Sequence, residues 1–469
     1  MSRRLTLCAL SALLSACAAV GPNYSRPEVP VPAEYRSRVE PVAAASSETF
    51  GDLEWFQLFQ DEVLQGLIGE AVASNYDVLI AAQRVLEARS GVTVARSALF
   101  PQLDGVYQYQ DRGLSSNGLA QTGPGFDDTR SANFLTAEAT WEVDVWGRIR
   151  RGVEAADADV LASEENRKFV LQTLVADLSS AYFTLRQLDR ELEISRVTLA
   201  SREASRNLIQ ARLDEGVSNK LELDQAAALV FDAGRRIPDL ERRIETQENF
   251  INILLGKEPG PVARGGALDA QRVSVTVPVG LPSSLLARRP DIRAAEEGIV
   301  AANARVGEAR AAYFPRVDLA ASLGGESVAF SEIFDDDSRT WLVGPRLTVP
   351  IFTAGRLSAQ VQQAEARKEQ ALLRYRQVIQ QAFREVGDAV TSVTKTREFT
   401  VQQEQLTATL KSQTELSQAR YLGGVTPYLE VLDSERDYFN SQLDLARARS
   451  DELRAVVALY RALGGGWQE

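Results

Sequence analysis

The sequence predicts a mainly helical chain with a transmembrane β part, built as a tandem repeat that carries four strands. Three observations predict it: a self-match at an offset near 208 residues, four two-faced stretches of about ten residues, and two long proline-free stretches with apolar heptads.

Composition narrows the function classes before any element is placed. The 469 residues carry 64 acidic and 52 basic side chains, a net charge of −12, which argues against general nucleic-acid binding because phosphate must be met by basic patches. There is no histidine, one methionine and two cysteines, Cys8 and Cys17. That removes the usual metal ligands and nucleophile–base pairs, so neither a metal nor a cofactor is expected. A carboxylate hydrolase is the remaining enzymatic reading, and long seam-forming helices build no pocket for one. The chain is expected not to be an enzyme.

At the start of the chain, Arg3-Arg4 precede an apolar run from Leu5 to Leu14 that is too short to span a bilayer. This is the layout of an export signal over residues 1–16. Leu14-Ser15-Ala16-Cys17 resembles a bacterial lipobox, in which cleavage leaves Cys17 as an acylated first residue. More than one acyl chain, at roughly 0.8 kcal/mol per buried CH₂, makes a durable anchor. Residues 17–60 follow as an extended segment, with Pro22, Pro27, Pro30 and Pro32 stiffening its first half.

The first copy covers residues 61–256 and the second 291–464, with a linker at 257–290 and a tail at 465–469. Asn75-Tyr76-Asp77 aligns with Arg289-Pro290-Asp291 and Leu99-Phe100-Pro101 with Tyr313-Phe314-Pro315. Further on, Gly147-Arg148 aligns with Gly355-Arg356, Gly216-Val217-Ser218 with Gly424-Val425-Thr426, and Leu255-Gly256 with Leu463-Gly464. Each copy reads helix, strand, loop, strand, long helix, turn, helix. The residue before a proline resists the α region, so Phe100-Pro101 and Phe314-Pro315 end helices where strands begin.

Strands are expected at about 101–112, 131–145, 315–323 and 340–351. In the second, Leu135, Ala137, Ala139, Trp141 and Val143 alternate with Thr136, Glu138, Thr140, Glu142 and Asp144, and the other three alternate in the same way. The acids Glu138, Glu142 and Asp144 then face a barrel lumen and attract cations. Four strands cannot close a barrel alone. An open edge in lipid leaves backbone groups unsatisfied at several kcal/mol each, so other subunits must complete the cylinder.

Long helices are expected at about 148–213 and 356–422, each followed by a shorter one, at about 219–255 and 427–463. Leu171, Leu178, Leu185, Leu192 and Leu199 form a heptad seam in the first copy, with Leu174, Ala181 and Leu188 beside them. Leu372, Ile379, Val386 and Val393 repeat it in the second. Between long and short helix, Gly216 and Gly424 suit the left-handed end of one helix. Ser218 or Thr426 can cap the next, and Pro427 suits its first turn.

Cys17 through Tyr24, Gly280 through Ala295, Ala311 through Pro315 and Arg420 through Arg436 together resemble the outer membrane factor family. These are the TolC-like exit ducts of tripartite efflux systems, and the likeness is to their NodT-type lipoprotein branch. The resemblance implies a homotrimer in the outer membrane, with a 12-stranded β-barrel continued by a 12-helix periplasmic α-barrel. It implies a passive duct served by a periplasmic adaptor and an inner-membrane pump of the RND type. It also implies that the tips at Gly216, Val217, Ser218, Gly424, Val425 and Thr426 meet the adaptor, and that Leu429, Asp433 and Arg436 ring the periplasmic gate. Spacings of four and three place those three on one helical face. The alternative is a structural coiled-coil envelope lipoprotein, which leaves the amphipathic strands without a purpose.

Overall fold

The computed structural model describes residues 19–30, 55–113, 129–271 and 282–466. The signal stretch, Cys17, most of the loop between the first two strands and part of the linker lie outside the described residues. The chain forms two compact units.

The first unit comprises the described residues within 1–28, 84–163 and 294–375. Its centre is an antiparallel sheet of β1 (Gln102–Gly113), β2 (Thr129–Val143), β3 (Arg316–Ser327) and β4 (Arg339–Thr348), in sequential order. The register gathers most of the apolar set on one face, with Val106, Phe134 and Leu342 left on the other. Leu103 pairs with Ala139, Ala139 with Ala321 and Ala321 with Val343; Trp141 pairs with Leu319 and Leu319 with Pro345. The alternate rows hold Asp104, Glu138 and Ser322, and Glu142, Asp318 and Arg346. A slip by one residue would turn every apolar side chain to the other face, so this alternation specifies the register.

Strand ends differ from the sequence pattern for local reasons. β3 runs on to Ser327 because Gly325 and Ser327 still pair with Leu135 and Asn133 of β2. β4 stops at Thr348, short of Pro350, which has no amide hydrogen to give a ladder. β2 stops at Val143, where a tight turn begins with Val145 N donating to Val143 O (2.7 Å).

Residues 19–26 run along this unit as a strap. Val20 N donates to Trp146 O (2.9 Å), and Trp146 stacks on Phe314 (4.8 Å) while its indole donates to Pro315 O (2.8 Å). The buried Arg151 donates to Val20 O and Asn23 Oδ1, Asn303 donates to Pro22 O, and Tyr24 and Arg26 both donate to Glu296.

The second unit comprises the described residues within 29–83, 164–293 and 376–469. It is helical: α1 (Trp55–Leu58), α2 (Glu62–Ser74), α5 (Lys220–Leu254), α6 (Pro282–Arg288), α9 (Tyr428–Ala462) and parts of α3 (Tyr76–Ser97), α4 (Arg148–Asp214), α7 (Pro290–Ala311) and α8 (Arg356–Leu422). The heptad residues Leu171, Leu178, Leu185 and Leu188 are buried with Phe439, Leu443, Val456 and Tyr460 of α9 in one core. Burial of such side chains contributes roughly 1.5–3 kcal/mol each, which is what holds helices too polar for lipid together. Among the described residues no helix is long and apolar enough to cross a membrane.

The repeat is visible in the backbone. α4 and α8 have 67 residues each, and α5 and α9 have 35. Gly147, Gly216 and Gly256 adopt positive φ, as do Gly355, Gly424 and Gly464 at the matching positions. Each turn therefore needs a residue without a Cβ at the same place in both copies.

Candidate gate and hairpin tips

Leu429, Asp433 and Arg436 lie on one exposed face of α9, while Tyr428, Val431, Leu432 and Phe439 of the same helix are buried. Arg436 pairs with Asp433 (3.0 Å) and with Asp437 (3.1 Å), so the guanidinium bridges two carboxylates along the helix. All three are about half exposed, which keeps these pairs weak against water and salt. In the first copy Leu221, Gln225 and Ala228 occupy the matching places, so that copy brings no charge.

The two tips share one backbone solution. Val217 N and Ser218 N donate to Arg212 O, as Val425 N donates to Arg420 O at the matching position. Gly216, Val217, Gly424 and Val425 are exposed, Ser218 is half-buried, and Thr426 is buried. Thr426 turns inward to donate to Glu430, so its side chain is not presented at the tip. Ser218 does not cap α5 either. That role falls to Asn219, whose side chain accepts from Glu222 N (3.0 Å), while Ser218 donates to the Glu222 carboxylate (2.6 Å). Pro427 takes the cap position of α9 rather than its first turn.

Glu222 also accepts from Tyr421 of α8 (3.3 Å), and Tyr421 packs on Tyr428 (5.1 Å) with Arg212 over its ring (5.0 Å). The two hairpins are thus tied to each other through a small core of Ile209, Ala226, Tyr421, Tyr428, Val431 and Leu432. Burial, with the Glu222 charge second, raises the Tyr421 phenol above its ordinary value. Asparagine three residues before glutamate is the spacing of a reciprocal cap, a signal present in the sequence at Asn219 and Glu222.

The three acids assigned to the lumen part company. Asp144 lies beyond the end of β2 and accepts from Ile149 N (3.0 Å) and Arg150 N (2.9 Å), because the first turn of α4 leaves amides without partners. Glu142 is held in a two-pronged pair by Arg148 (2.8 and 2.9 Å). Glu138 stays within the strand beside Thr136, whose hydroxyl donates to it (3.2 Å). The cation-attracting field of this face is correspondingly weaker than three free carboxylates would make it.

A gate-like face, two exposed tips and a sheet whose outer strands β1 and β4 each keep an edge unpaired among the described residues are features of a channel subunit, and the comparisons agree. The chain matches the family described as outer membrane efflux protein over residues 67–257 and 281–465. The chain belongs to this family. It is 35% identical over 459 residues to the solvent efflux pump outer membrane protein SrpC of Pseudomonas putida, covering 97% of this chain and 96% of that one. It is 33% identical over 461 residues to the cation efflux system protein CusC of Escherichia coli, covering 97% of each. A crystal structure of a membrane protein from Pseudomonas aeruginosa superposes with a TM-score of 0.87 at 31% identity, covering 95% of this chain and all of that one.

This efflux protein is an outer-membrane channel component. Its sheet of four strands needs further strands beside β1 and β4 before it leaves no open edge in lipid.

Proposed function

We propose that this efflux protein is a passive, non-catalytic duct, closed at its periplasmic mouth by Leu429, Asp433 and Arg436 and opened through its tips. The single observation that carries this reading is the common exposed face of those three residues on α9. In this reading the chain assembles as a homotrimer served by a periplasmic adaptor and an inner-membrane pump, and threefold repetition turns those residues into a leucine constriction, a carboxylate ring and a guanidinium ring. Three carboxylates roughly 8 Å apart repel by about 2 kcal/mol per pair at an effective dielectric near 20, and Arg436 offsets that repulsion. The adaptor meets Gly216, Val217, Ser218, Gly424 and Val425, with Thr426 supporting the second tip from inside. An RND-type pump supplies both energy and substrate choice; relatives are named for solvent, toluene and cation efflux.

Cys17, two residues before the start of the strap at Ala19, carries the lipid anchor in this reading. Support comes from the strap itself: Val20 is pinned at Trp146, three residues past the end of β2, so the described strap begins beside the end of the membrane sheet.

The test is single-channel conductance of the purified trimer in planar bilayers. Leu429→Ala combined with Asp433→Ala is expected to raise it. An unchanged value would place the constriction elsewhere.

A further inference from the structure

The gate helix α9 carries, directly beside its exposed gate face, a partly buried polar cluster that is only half satisfied. Glu435 stands between Asp433 and Arg436 in sequence. Gln418 of α8 donates to its Oε1 (2.8 Å), and its Oε2 is buried with no hydrogen-bond partner. Arg202 of α4, 2% exposed, donates through Nη1 to Leu229 O (2.8 Å) and Asp232 (3.5 Å) and lies over the Phe439 ring (4.7 Å), while its Nε and Nη2 have no partner. Arg236 of α5 approaches the same ring (5.1 Å), with Nε unpartnered, and the buried Tyr428 hydroxyl has none.

A buried acceptor atom and several buried donor atoms therefore sit in one cluster without meeting. Half-satisfied buried networks are costly, and a cluster whose members are complementary but unpaired favours a second arrangement of the helix that brings them together or into water. We propose that Glu435 is a positioning residue for the gate: its charge, set against Arg202, biases α9 away from the packed, closed arrangement, and its neutral form holds α9 closed. The proposal rests on the reading of Leu429, Asp433 and Arg436 as the gate.

The groups that act on Glu435 directly are Arg202 from α4, Gln418 from α8 and Tyr428 on α9 itself; behind them, Asp232 and Arg236 of α5 surround Arg202, and Glu222 of α5 and Tyr421 of α8 surround Tyr428. Burial raises the Glu435 carboxyl above its ordinary value, against the Gln418 hydrogen bond and the Arg202 charge, which lower it. A raised value in the packed arrangement means that this arrangement binds the proton more tightly than one in which Glu435 reaches water. Acid therefore favours closure, and the bias toward closure is lost as pH rises through the raised value.

The experiment records open probability of the full-length trimer in planar bilayers from about pH 5 to about pH 8, a range above the ordinary glutamate value. The wild type is expected to open more as pH rises. Glu435→Gln keeps the Gln418 contact without a charge, and is expected to stay at the acid level throughout, several-fold below the wild type at the alkaline end. Arg202→Met removes the cation that favours ionised Glu435 and is expected to move the midpoint up by about one pH unit. A flat wild-type profile, or a Glu435→Gln profile with the wild-type midpoint, overturns the proposal. Asp433→Asn run alongside assigns any pH response of the carboxylate ring, and a flattened Glu435→Gln profile with unchanged conductance in the Leu429→Ala, Asp433→Ala protein would retain Glu435 as the control of α9 while removing the gate from that face.

Discussion

Gly21 and Gly307 meet backbone on backbone: a Cβ built on Gly21 would stand 2.4 Å from the Cα of Gly307, and one on Gly307 would stand 2.8 Å from Val20 O. The strap can lie against α7 only because both residues lack a side chain. Gly21 also has a φ of +104°, which other residues rarely adopt.

Gly307→Ala is therefore expected to displace the strap, at a cost of about 1–3 kcal/mol. Limited proteolysis of the detergent-solubilised trimer checks it. Cleavage within residues 19–30 should speed up markedly, while the sheet stays protected. Unaltered cleavage there would show that the strap tolerates the extra methyl.

Asp61 gathers a hub in the helical unit. It caps α2 through Val63 N (2.9 Å) and accepts from Tyr182 (2.9 Å), Gly266 N (3.1 Å) and Gln271. Burial pushes its carboxyl up, but the hydrogen bonds outweigh this and lower it below the ordinary value. A lowered value means stability that is present above the ordinary aspartate range and lost as pH falls through the folded value. Asp61→Ala is expected to cost about 2–3 kcal/mol in urea denaturation at neutral pH. Asp61→Asn should flatten the acid limb of stability.

The Tyr182 phenol, buried and beside Asp61, is pushed up to about 12 from 10.0. Its contribution has the opposite sign: present below the unfolded value and lost as pH rises from about 10 through about 12. Tyr182→Phe should remove that alkaline slope. A slope that survives the substitution would assign it to another group.

Arg289 is 4% exposed and donates to Asp291 (2.7 Å), Glu385 (2.8 Å) and Ala462 O (3.1 Å), tying the start of α7 to α8 and to the end of α9. Arg289→Met leaves two carboxylates without their cation and should lower stability by about 3–5 kcal/mol, read as a shifted urea midpoint. Arg289→Lys is expected to recover only part, because an ammonium cannot make the two-pronged contact.

The two faces of the sheet make a paired prediction. Ala321 belongs to the apolar row with Ala139 and Val343, and Ser322 to the row with Glu138. Ala321→Arg should cost about 2–4 kcal/mol near mid-bilayer and reduce the yield of folded trimer, whereas Ser322→Arg should be tolerated. Equal yields from both would mean that the faces are assigned the wrong way round.

Much of this fold was legible without coordinates because its signals are periodic. Period two at Leu135 to Val143, heptads at Leu171 to Leu188 and the paired glycines Gly216 and Gly424 are properties of short stretches, and each turns up in the expected element. The candidate site was only partly legible. The face shared by Leu429, Asp433 and Arg436 follows from spacing. The inward turn of Thr426, the capture of Asp144 by the first turn of α4 and the pairing of Glu142 with Arg148 do not.

What the amino-acid order determined by itself is the duplicated plan, the two-faced strands, the seams and the turns, since backbone preference and side-chain period act between residues close in the chain. Only the tertiary structure decided which distant groups share a dry space: Gly21 with Gly307, Tyr421 with Glu222, Glu435 with Arg202. Those pairings depend on which helices meet and at what height, and the free energy of a buried charge or a missing Cβ is set by that meeting rather than by its sequence neighbours.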